Sequence, residues 1–300
     1  MNLLTRYKNG NVRVSLFDDG TKIRETFGDE FEPEYPENCD MTIRTVCNNR
    51  CDYCYMNCSI AGDYADFRKY DFLNHMFPGM ELAINMNFPP HPRLYNFLKQ
   101  MKDQGVYVNA TVNENHFMHP INRKWIKSLV DEHLLWGIGI SYTGKSDNDE
   151  FIKAVREFST AIIHTIAGIF NIKTLHDLGC HDLKILILGY KNIGRGKDYL
   201  ADNPEILEGI DWLAEELPYL VDKFKLISFD NLALEQLRVK EWVDSETWKE
   251  RYQGDEGSQT FYIDLVHGTF ARDSLTDKTF PIDGKSLKQM FNYIRFDTTV

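Results

Sequence analysis

Between residues 41 and 229, short apolar segments alternate with longer stretches that carry apolar residues at helical spacing. The apolar segments have the length of strands, and the stretches between them are long enough for helices. This alternation favours right-handed βαβ units and a parallel sheet. The predicted strands are Met41–Val46, Glu81–Asn85, Val106–Val112, Trp136–Ser141, Ala161–Ile166, Leu183–Leu188 and Phe224–Phe229. The predicted helices include residues 66–77, 93–104, 122–133, 148–158 and 204–217.

The repeat predicts an α/β fold. Its six or seven units fit a partial (β/α)6 barrel of the TIM type, and a doubly wound open sheet is the competing architecture. Before the repeat, Val12–Phe17 and Thr21–Phe27 alternate around an Asp-Gly turn signal and predict a short β-hairpin. After it, Thr260–Phe270 returns to strand alternation, and a helix is predicted from Ser286 to Ile294.

These elements predict one main domain with two extensions. We expect an N-terminal hairpin extension over residues 1–39, a barrel core over residues 40–230, and a C-terminal β/α extension over residues 231–300 that packs on the barrel. The chain carries no low-complexity linker that would force two separate domains.

The charge balance narrows the function classes. With 34 Lys and Arg against 45 Asp and Glu, the net charge is −11, which disfavours coating of DNA or RNA by bulk phosphate neutralisation. No apolar run approaches the roughly 18–20 residues that span a bilayer, and the first residues lack the apolar segment of a signal peptide. We therefore expect a cytoplasmic protein, whose 6 cysteines serve metal binding or catalysis more than disulfides.

Three of these cysteines follow the first strand of the repeat. Cys47-Asn-Asn-Arg-Cys51-Asp-Tyr-Cys54 lies where a parallel α/β fold places its chemistry, at the carboxyl end of a strand. Three thiolates at this spacing can hold three irons of a [4Fe–4S] cluster and leave the fourth iron open to a chelating ligand. Cys47, Cys51 and Cys54 are therefore the predicted metal ligands and the centre of the predicted catalytic site.

Two alternatives use the same cysteines without an open iron. In one, Cys58 is the fourth ligand of an electron-transfer cluster. In the other, a structural zinc ion takes a second set of ligands from Cys58 or from His176, Cys180 and His181. Either alternative would make the chain an electron carrier or a metal-stabilised binding protein without turnover.

The cysteine segment resembles the motif of the radical S-adenosylmethionine (SAM) superfamily, CxxxCx(aromatic)C, with Tyr53 as the aromatic residue. Flanking segments, Asp19–Arg24 and Leu188–Gly196, are also similar to small radical SAM proteins of bacteria and phages. The resemblance implies a partial (β/α)6 barrel in which SAM chelates the open iron. One electron then cleaves SAM to a 5′-deoxyadenosyl radical, which abstracts hydrogen from the substrate. A low-potential flavodoxin or ferredoxin is the implied reductant.

Polar residues near the ends of three neighbouring strands predict a ligand site. Small or amide-bearing residues share one face of each strand, where an inert barrel would carry Val, Ile and Leu. These residues are Ala83, Asn85 and Asn87, then Asn109, Thr111 and Asn113, then Gly137, Gly139 and Ser141. We expect these faces to line the barrel interior and to orient a bulky polar ligand.

The resemblance assigns some of these positions to SAM. Where the superfamily commonly has Gly-Gly-Glu-Pro, this chain has Asn85-Met-Asn87-Phe-Pro89, so the Asn87 amide oxygen replaces a carboxylate as the acceptor for the methionyl amine. Ser141 matches a position that contacts the SAM ribose or carboxylate. His164 lies inside a predicted strand where an aliphatic residue is expected, and is either a core histidine or part of the site.

A basic segment follows the sixth strand. Lys191 and Arg195 stand in a glycine-rich stretch, where they bind the SAM carboxylate or an anionic substrate, or are solvated loop charges. A nucleotide, a small metabolite or a peptide would each fit as substrate, and an anionic amino acid or nucleotide is preferred on the basis of these two residues.

Overall fold

The computed structural model describes residues 2–170 and 172–296 of the chain. Within them, the strands form two sheets, one of three strands and one of ten. The strands are β1 Leu3–Asn9, β2 Val12–Phe17, β3 Lys22–Thr26, β4 Asn38–Thr42, β5 Glu81–Asn85, β6 Tyr107–Asn113, β7 Gly137–Ser141, β8 Ala161–Ile166, β9 Lys184–Leu188, β10 Leu226–Phe229, β11 Thr260–Asp264, β12 Thr269–Ala271 and β13 Phe280–Pro281.

Helices connect most of the parallel strands. They are α1 Leu94–Asp103, α2 Glu114–Met118, α3 Pro120–Asp131, α4 Asn148–Val155, α5 Ile172–Gly179, α6 Arg195–Asp202, α7 Glu205–Leu220, α8 Asn231–Gln236, α9 Val239–Trp242, α10 Ser245–Arg251 and α11 Leu287–Phe296. The α-helix predicted over residues 66–77 is wrong, because this segment forms two short 3₁₀ turns, Phe67–Lys69 and Asp71–Asn74. Among the described residues, no helix combines the length and the apolar character needed to cross a membrane.

The large sheet is mostly parallel. Its order is β10-β9-β8-β7-β6-β5-β4-β11-β12-β13, and every pair from β10 to β11 is parallel. The βα repeat predicted from the sequence is confirmed. The described residues contain no strand pairing that closes the sheet into a barrel. The segment Thr260–Phe270 divides into two strands at a turn, and β11 extends the sheet next to β4.

One face of the sheet forms the core. Alternate side chains such as Ile84, Val108, Ile138, Ile163 and Ile185 are at most 2% exposed. Apolar side chains of the helices also belong to this core, including Phe97, Leu98 and Met101 of α1, Ile126 and Leu129 of α3, and Phe151 of α4. Because side chains alternate along a strand, Asn85, Asn113, Ser141 and His164 lie on the opposite face, whereas Thr165 of β8 is buried on the core side.

The small sheet contains the predicted hairpin. β2 and β3 pair antiparallel as expected, and β1 adds a third strand on the other side of β2. Ion pairs join this sheet to the amino end of the large one: Lys22 Nζ lies 2.6 Å from Glu81 Oε1, and Arg24 Nε lies 2.7 Å from Glu37 Oε2. Glu81 is the first residue of β5, and Glu37 directly precedes β4. The ion pairs therefore lie at the amino ends of these strands, whereas the ligand site is predicted at the carboxyl ends.

We expect substitutions on the two faces of β8 to lower the free energy of unfolding by different amounts. Ile163 is fully buried and Ile162, its neighbour on the other face, is half-buried. We expect Ile163→Ala to lower the free energy of unfolding by about 2–5 kcal/mol, the usual cost of emptying a buried aliphatic site. Ile162→Ala should cost clearly less. Urea unfolding of both apoprotein variants measures the difference, and equal losses would contradict the assignment of the faces.

Candidate functional site

The cysteine loop begins at the carboxyl end of β4 and folds back on itself. Two isolated β-bridges close it, Arg44 with Tyr64 and Val46 with Ser59. The Cys47 N–H donates to the Ser59 carbonyl at 2.8 Å, which brings the first cysteine beside the end of the loop. As a result Cys47 and Cys58 are both buried, whereas Cys51 and Cys54 are half-buried.

Amide groups donate to the sulfur atoms. The Asn49 backbone N–H lies 3.5 Å from Cys47 Sγ, and the Asn49 side-chain amide lies 2.9 Å from Cys51 Sγ. Asn113, the last residue of β6, donates to Cys51 Sγ at 3.8 Å. Hydrogen bonds to sulfur are one means by which a protein tunes an iron–sulfur cluster. The structure thus places Asn113, a predicted ligand-site residue, against the cysteines.

Burial and neighbouring thiols set the acidities of the cysteines. Burial raises the pKa of Cys47 and of Cys51. A hydrogen bond from the Cys58 thiol lowers the pKa of Cys54 to about 6, and the same contact raises the pKa of Cys58. Cys54 is therefore the most readily ionised of the four loop cysteines in the metal-free protein.

The segment at the start of α2 holds the loop in place, a role that sequence reasoning missed. The Asn115 amide donates to Asn49 Oδ1 at 2.8 Å, and His116 Nε2 lies 2.7 Å from Asn48 Oδ1. The run of polar residues Asn113–His116 after a predicted strand was the signal in the sequence that could have indicated this role. The loop residues that this segment contacts lie more than 60 positions earlier in the chain, so no local pattern links them.

A buried carboxylate supports the next loop in the same way. Glu114 is fully buried and accepts hydrogen bonds from the Thr143 hydroxyl at 2.6 Å and from the Ser146 N–H at 2.7 Å. It thereby fixes the segment that follows β7 and Ser141. Sequence reasoning gave no role to Glu114 either.

Arg195 lies beneath the cysteine loop. Its Nε donates to the Cys51 carbonyl at 3.1 Å, and both terminal nitrogens donate to the Cys58 carbonyl at 3.1 Å. The preceding Gly194 has φ of 55° and approaches Tyr55 so closely that a Cβ would lie 2.2 Å from the Tyr55 carbonyl oxygen. The guanidinium predicted to bind an anion is thus engaged with the backbone of the loop.

Asn113, Ser141 and His164 lie side by side on the polar face. Asn113 pairs in register with Ser141 of β7, and Ser141 pairs with His164 of β8. A Cβ on Gly139 would lie 2.2 Å from His164 Cε1, so the glycine makes room for the imidazole. Burial lowers the pKa of His164 to about 4, so the ring is neutral at pH 7. Its neutral ring can accept a hydrogen bond from a ligand.

Asn85, Asn87 and Tyr53 have different surroundings. The Asn85 amide accepts from the Ile43 N–H at 3.1 Å and donates to the Arg44 carbonyl at 2.7 Å, so it extends the β4–β5 pairing. The Asn87 carbonyl accepts from the Arg44 guanidinium. The Tyr53 ring packs edge-on against Tyr199 of α6 at 5.7 Å, and burial raises its pKa.

Lys191 lies among acidic groups. Its Nζ donates to Ser274 Oγ at 2.8 Å and stands 4.2 Å from the centre of the Tyr55 ring. Burial lowers its pKa, but the surrounding groups outweigh burial and raise it overall; they are Tyr55, Asp230, Asp40 and Glu256. The carboxylates supply negative charge to this part of the site, so Lys191 does not create a basic pocket.

Comparisons with known proteins identify the fold. No protein-family model and no curated protein sequence matches the chain. Among solved structures, it is similar to Streptococcus suis SuiB bound to the precursor peptide SuiA, with a TM-score of 0.58 and 12% identity over 88% of this chain and 67% of that chain. SuiB bound to S-adenosylmethionine matches with a TM-score of 0.55 and 12% identity, over 88% and 68% of the two chains. The chain therefore shares its fold with SuiB over most of its length.

The acidity of His164 predicts a pH dependence. Its folded pKa of about 4 lies below the unfolded value of 6.5, so the unfolded state takes up a proton first as the pH falls. Stability present above pH 6.5 should therefore decline between about pH 6.5 and 4, by at most about 1.4 kcal/mol per pH unit.

The measurement is the free energy of urea unfolding of the apoprotein at several pH values, for wild type and His164→Gln. The variant should show a flatter dependence across this window. Parallel curves for the two proteins would contradict the assigned environment of His164.

Proposed function

We propose that this protein is a radical SAM enzyme in which Cys47, Cys51 and Cys54 hold a [4Fe–4S] cluster. The observation that supports this most strongly is the position of the cysteine loop. It lies at the carboxyl end of β4 in a radical SAM-like fold, with Asn49 and Asn113 donating to Cys51 Sγ. Three thiols with amide donors around them suit such a cluster.

The chain's own residues hold and orient the reactants. Arg195 fixes the loop through the Cys51 and Cys58 carbonyls, so the three sulfur atoms keep their relative positions. Asn113 presents an amide beside Cys51, and Ser141 and neutral His164 present a hydroxyl and an imidazole on the next two strands, where the three groups can bind the polar groups of SAM. When bound, the reduced cluster would supply the electron that cleaves SAM to methionine and a 5′-deoxyadenosyl radical.

The structure changes the expected substrate. Arg195 is engaged with the loop, and Lys191 contacts Ser274 and the Tyr55 ring and is influenced by the charges of nearby acidic groups, so the preference for an anionic substrate loses its basis. SuiB was solved with a precursor peptide. Among substrates that offer a C–H bond to the radical, we therefore favour a peptide over a nucleotide. A low-potential flavodoxin or ferredoxin in the cytoplasm remains the proposed reductant.

Formation of 5′-deoxyadenosine tests the proposal. Anaerobically reconstituted protein, given SAM and dithionite, should form it, because the cluster would take one electron from dithionite and pass it to SAM bound at the open iron. Cys54→Ala should form none, since one ligand is lost. Cys180→Ala is the matched control, because Cys180 is exposed and outside the loop; it should retain wild-type activity. A fully loaded wild type that neither forms product nor changes its spectrum with SAM would contradict the proposal.

An electron-carrier function is the second candidate, because the Cys58 thiol lies in hydrogen-bonding contact with Cys54. If Cys58 ligated the fourth iron, SAM would have no site. We expect Cys58→Ala to keep wild-type iron and sulfide content, whereas Cys54→Ala loses most of both. Loss of the cluster from Cys58→Ala, with circular dichroism unchanged, would favour the electron carrier.

The zinc alternative has less support. Among residues 2–170 and 172–296, no group of three or more Cys, His, Asp or Glu side chains is arranged to hold a metal ion, the loop cysteines included, so this finding does not distinguish zinc from a cluster. His176, one of the residues considered for that site, lies 3.1 Å from Glu216 and 2.6 Å from Lys223 Nζ instead.

A further inference from the structure

Arg44 is a buried guanidinium between β4 and the cysteine loop. It is 1% exposed and among the largest fully buried side chains of the chain. Its Nη1 donates to the carbonyls of Asn87 and Pro89. Its Nε and Nη2 are buried as well and have no hydrogen-bond partner in the described part of the chain. Two N–H-bearing nitrogens of a permanently charged group are therefore unsatisfied.

No carboxylate balances this charge. Among the described residues, Arg44 takes part in no ion pair, and its guanidinium lies 5.5 Å from the centre of the Tyr64 ring. Two nearby histidines supply no counter-charge either. Burial, reinforced by Arg44, lowers the pKa of His116 to about 4 and also lowers that of His91, so both rings are neutral at pH 7. A buried charge without a partner is costly, so a counter-charge is expected.

Arg44 forms the β-bridge with Tyr64 that closes the cysteine loop. Negative charge on Tyr64, Cys47 or Cys58 would stabilise its guanidinium, but the pKa values of both thiols are raised, so they are protonated in the metal-free protein. Cys47 is a proposed cluster ligand, and only Thr45 and Val46 separate it from Arg44 in the chain. A cluster bound by thiolates carries negative charge, and cluster charge and surroundings set its reduction potential.

We propose that Arg44 is the charge partner of the [4Fe–4S] cluster. This inference rests on the proposed function. The positive charge offsets the negative charge of the cluster and thiolates, and it favours the reduced state, which carries one more electron. Arg44 is thus a positioning and tuning residue, and it accounts for a buried charge that the protein alone leaves unbalanced.

The test compares two substitutions that differ in charge. Arg44→Gln and Arg44→Lys both shorten the side chain and keep a donor for the Asn87 and Pro89 carbonyls, but only lysine keeps the charge. Arg50→Gln is the control, since Arg50 is on the same loop and exposed. For each protein we would measure iron and sulfide content after reconstitution, the SAM-free midpoint potential by EPR-monitored redox titration, and thermal unfolding of the apoprotein.

We expect Arg44→Gln to make cluster reduction about tenfold less favourable, a potential about 59 mV lower for a one-electron couple. Arg44→Lys and Arg50→Gln should stay near wild type. Arg44→Gln could also fold and yet fail to retain a cluster that Arg44→Lys retains. That loss would show that the cluster requires a positive charge at position 44, and would support the proposal. An unchanged potential in Arg44→Gln, or a shift that appears only when SAM is added, would overturn the proposal.

Apoprotein stability separates this role from a purely structural one. Without a cluster the buried charge is unbalanced, so Arg44→Gln should melt no lower than Arg44→Lys. An Arg44→Gln apoprotein that unfolds while Arg44→Lys stays folded would show that the charge serves the fold, and would overturn the proposal. Wild-type protein that takes up no iron would instead contradict the proposed function itself.

Discussion

Closure of the cysteine loop is the constraint on which the site depends. The bridges Arg44–Tyr64 and Val46–Ser59 return the chain to the end of β4 within about 20 residues. Without them, a polar loop of this length would sample many conformations, and three thiols would rarely meet. Arg195 of α6 and Asn115 of α2 add hydrogen bonds to the loop. The loop's own bridges and these two helices therefore fix its conformation together. These contacts hold the loop in one arrangement.

The parallel sheet places the other polar groups at the same end. Its apolar face is committed to the core, which leaves the opposite face free to carry amides, hydroxyls and an imidazole. The glycines of β7 are part of this arrangement, because the ring of His164 occupies the space that a side chain at Gly139 would need. Buried Arg44 is the feature of this region that the protein does not balance by itself, and the proposed cluster supplies the missing charge.

Sequence reasoning predicted the parallel α/β sheet because burial leaves a local pattern, whereas the predicted partial barrel is not confirmed. The bounds of β5 and β8 follow directly from their apolar residues, and the cysteine spacing identified the loop. It missed β1, whose residues do not alternate clearly, and it took residues 66–77 for a helix, although they form 3₁₀ turns. The roles of Asn49, Glu114 and Arg44 depend on contacts between distant segments, which no local pattern records. For the same reason, Arg195 was expected to bind a ligand and is engaged with the loop.

The central claim is that the three cysteines leave one iron open and that SAM binds it. Pulsed electron–nuclear double resonance on the reduced, reconstituted protein tests this most directly, with SAM labelled with ¹⁵N at its methionyl amine. We predict a ¹⁵N hyperfine coupling to the cluster that is absent with unlabelled SAM. A fully loaded, reduced cluster that shows no ¹⁵N coupling and an EPR spectrum unaffected by SAM would contradict the account.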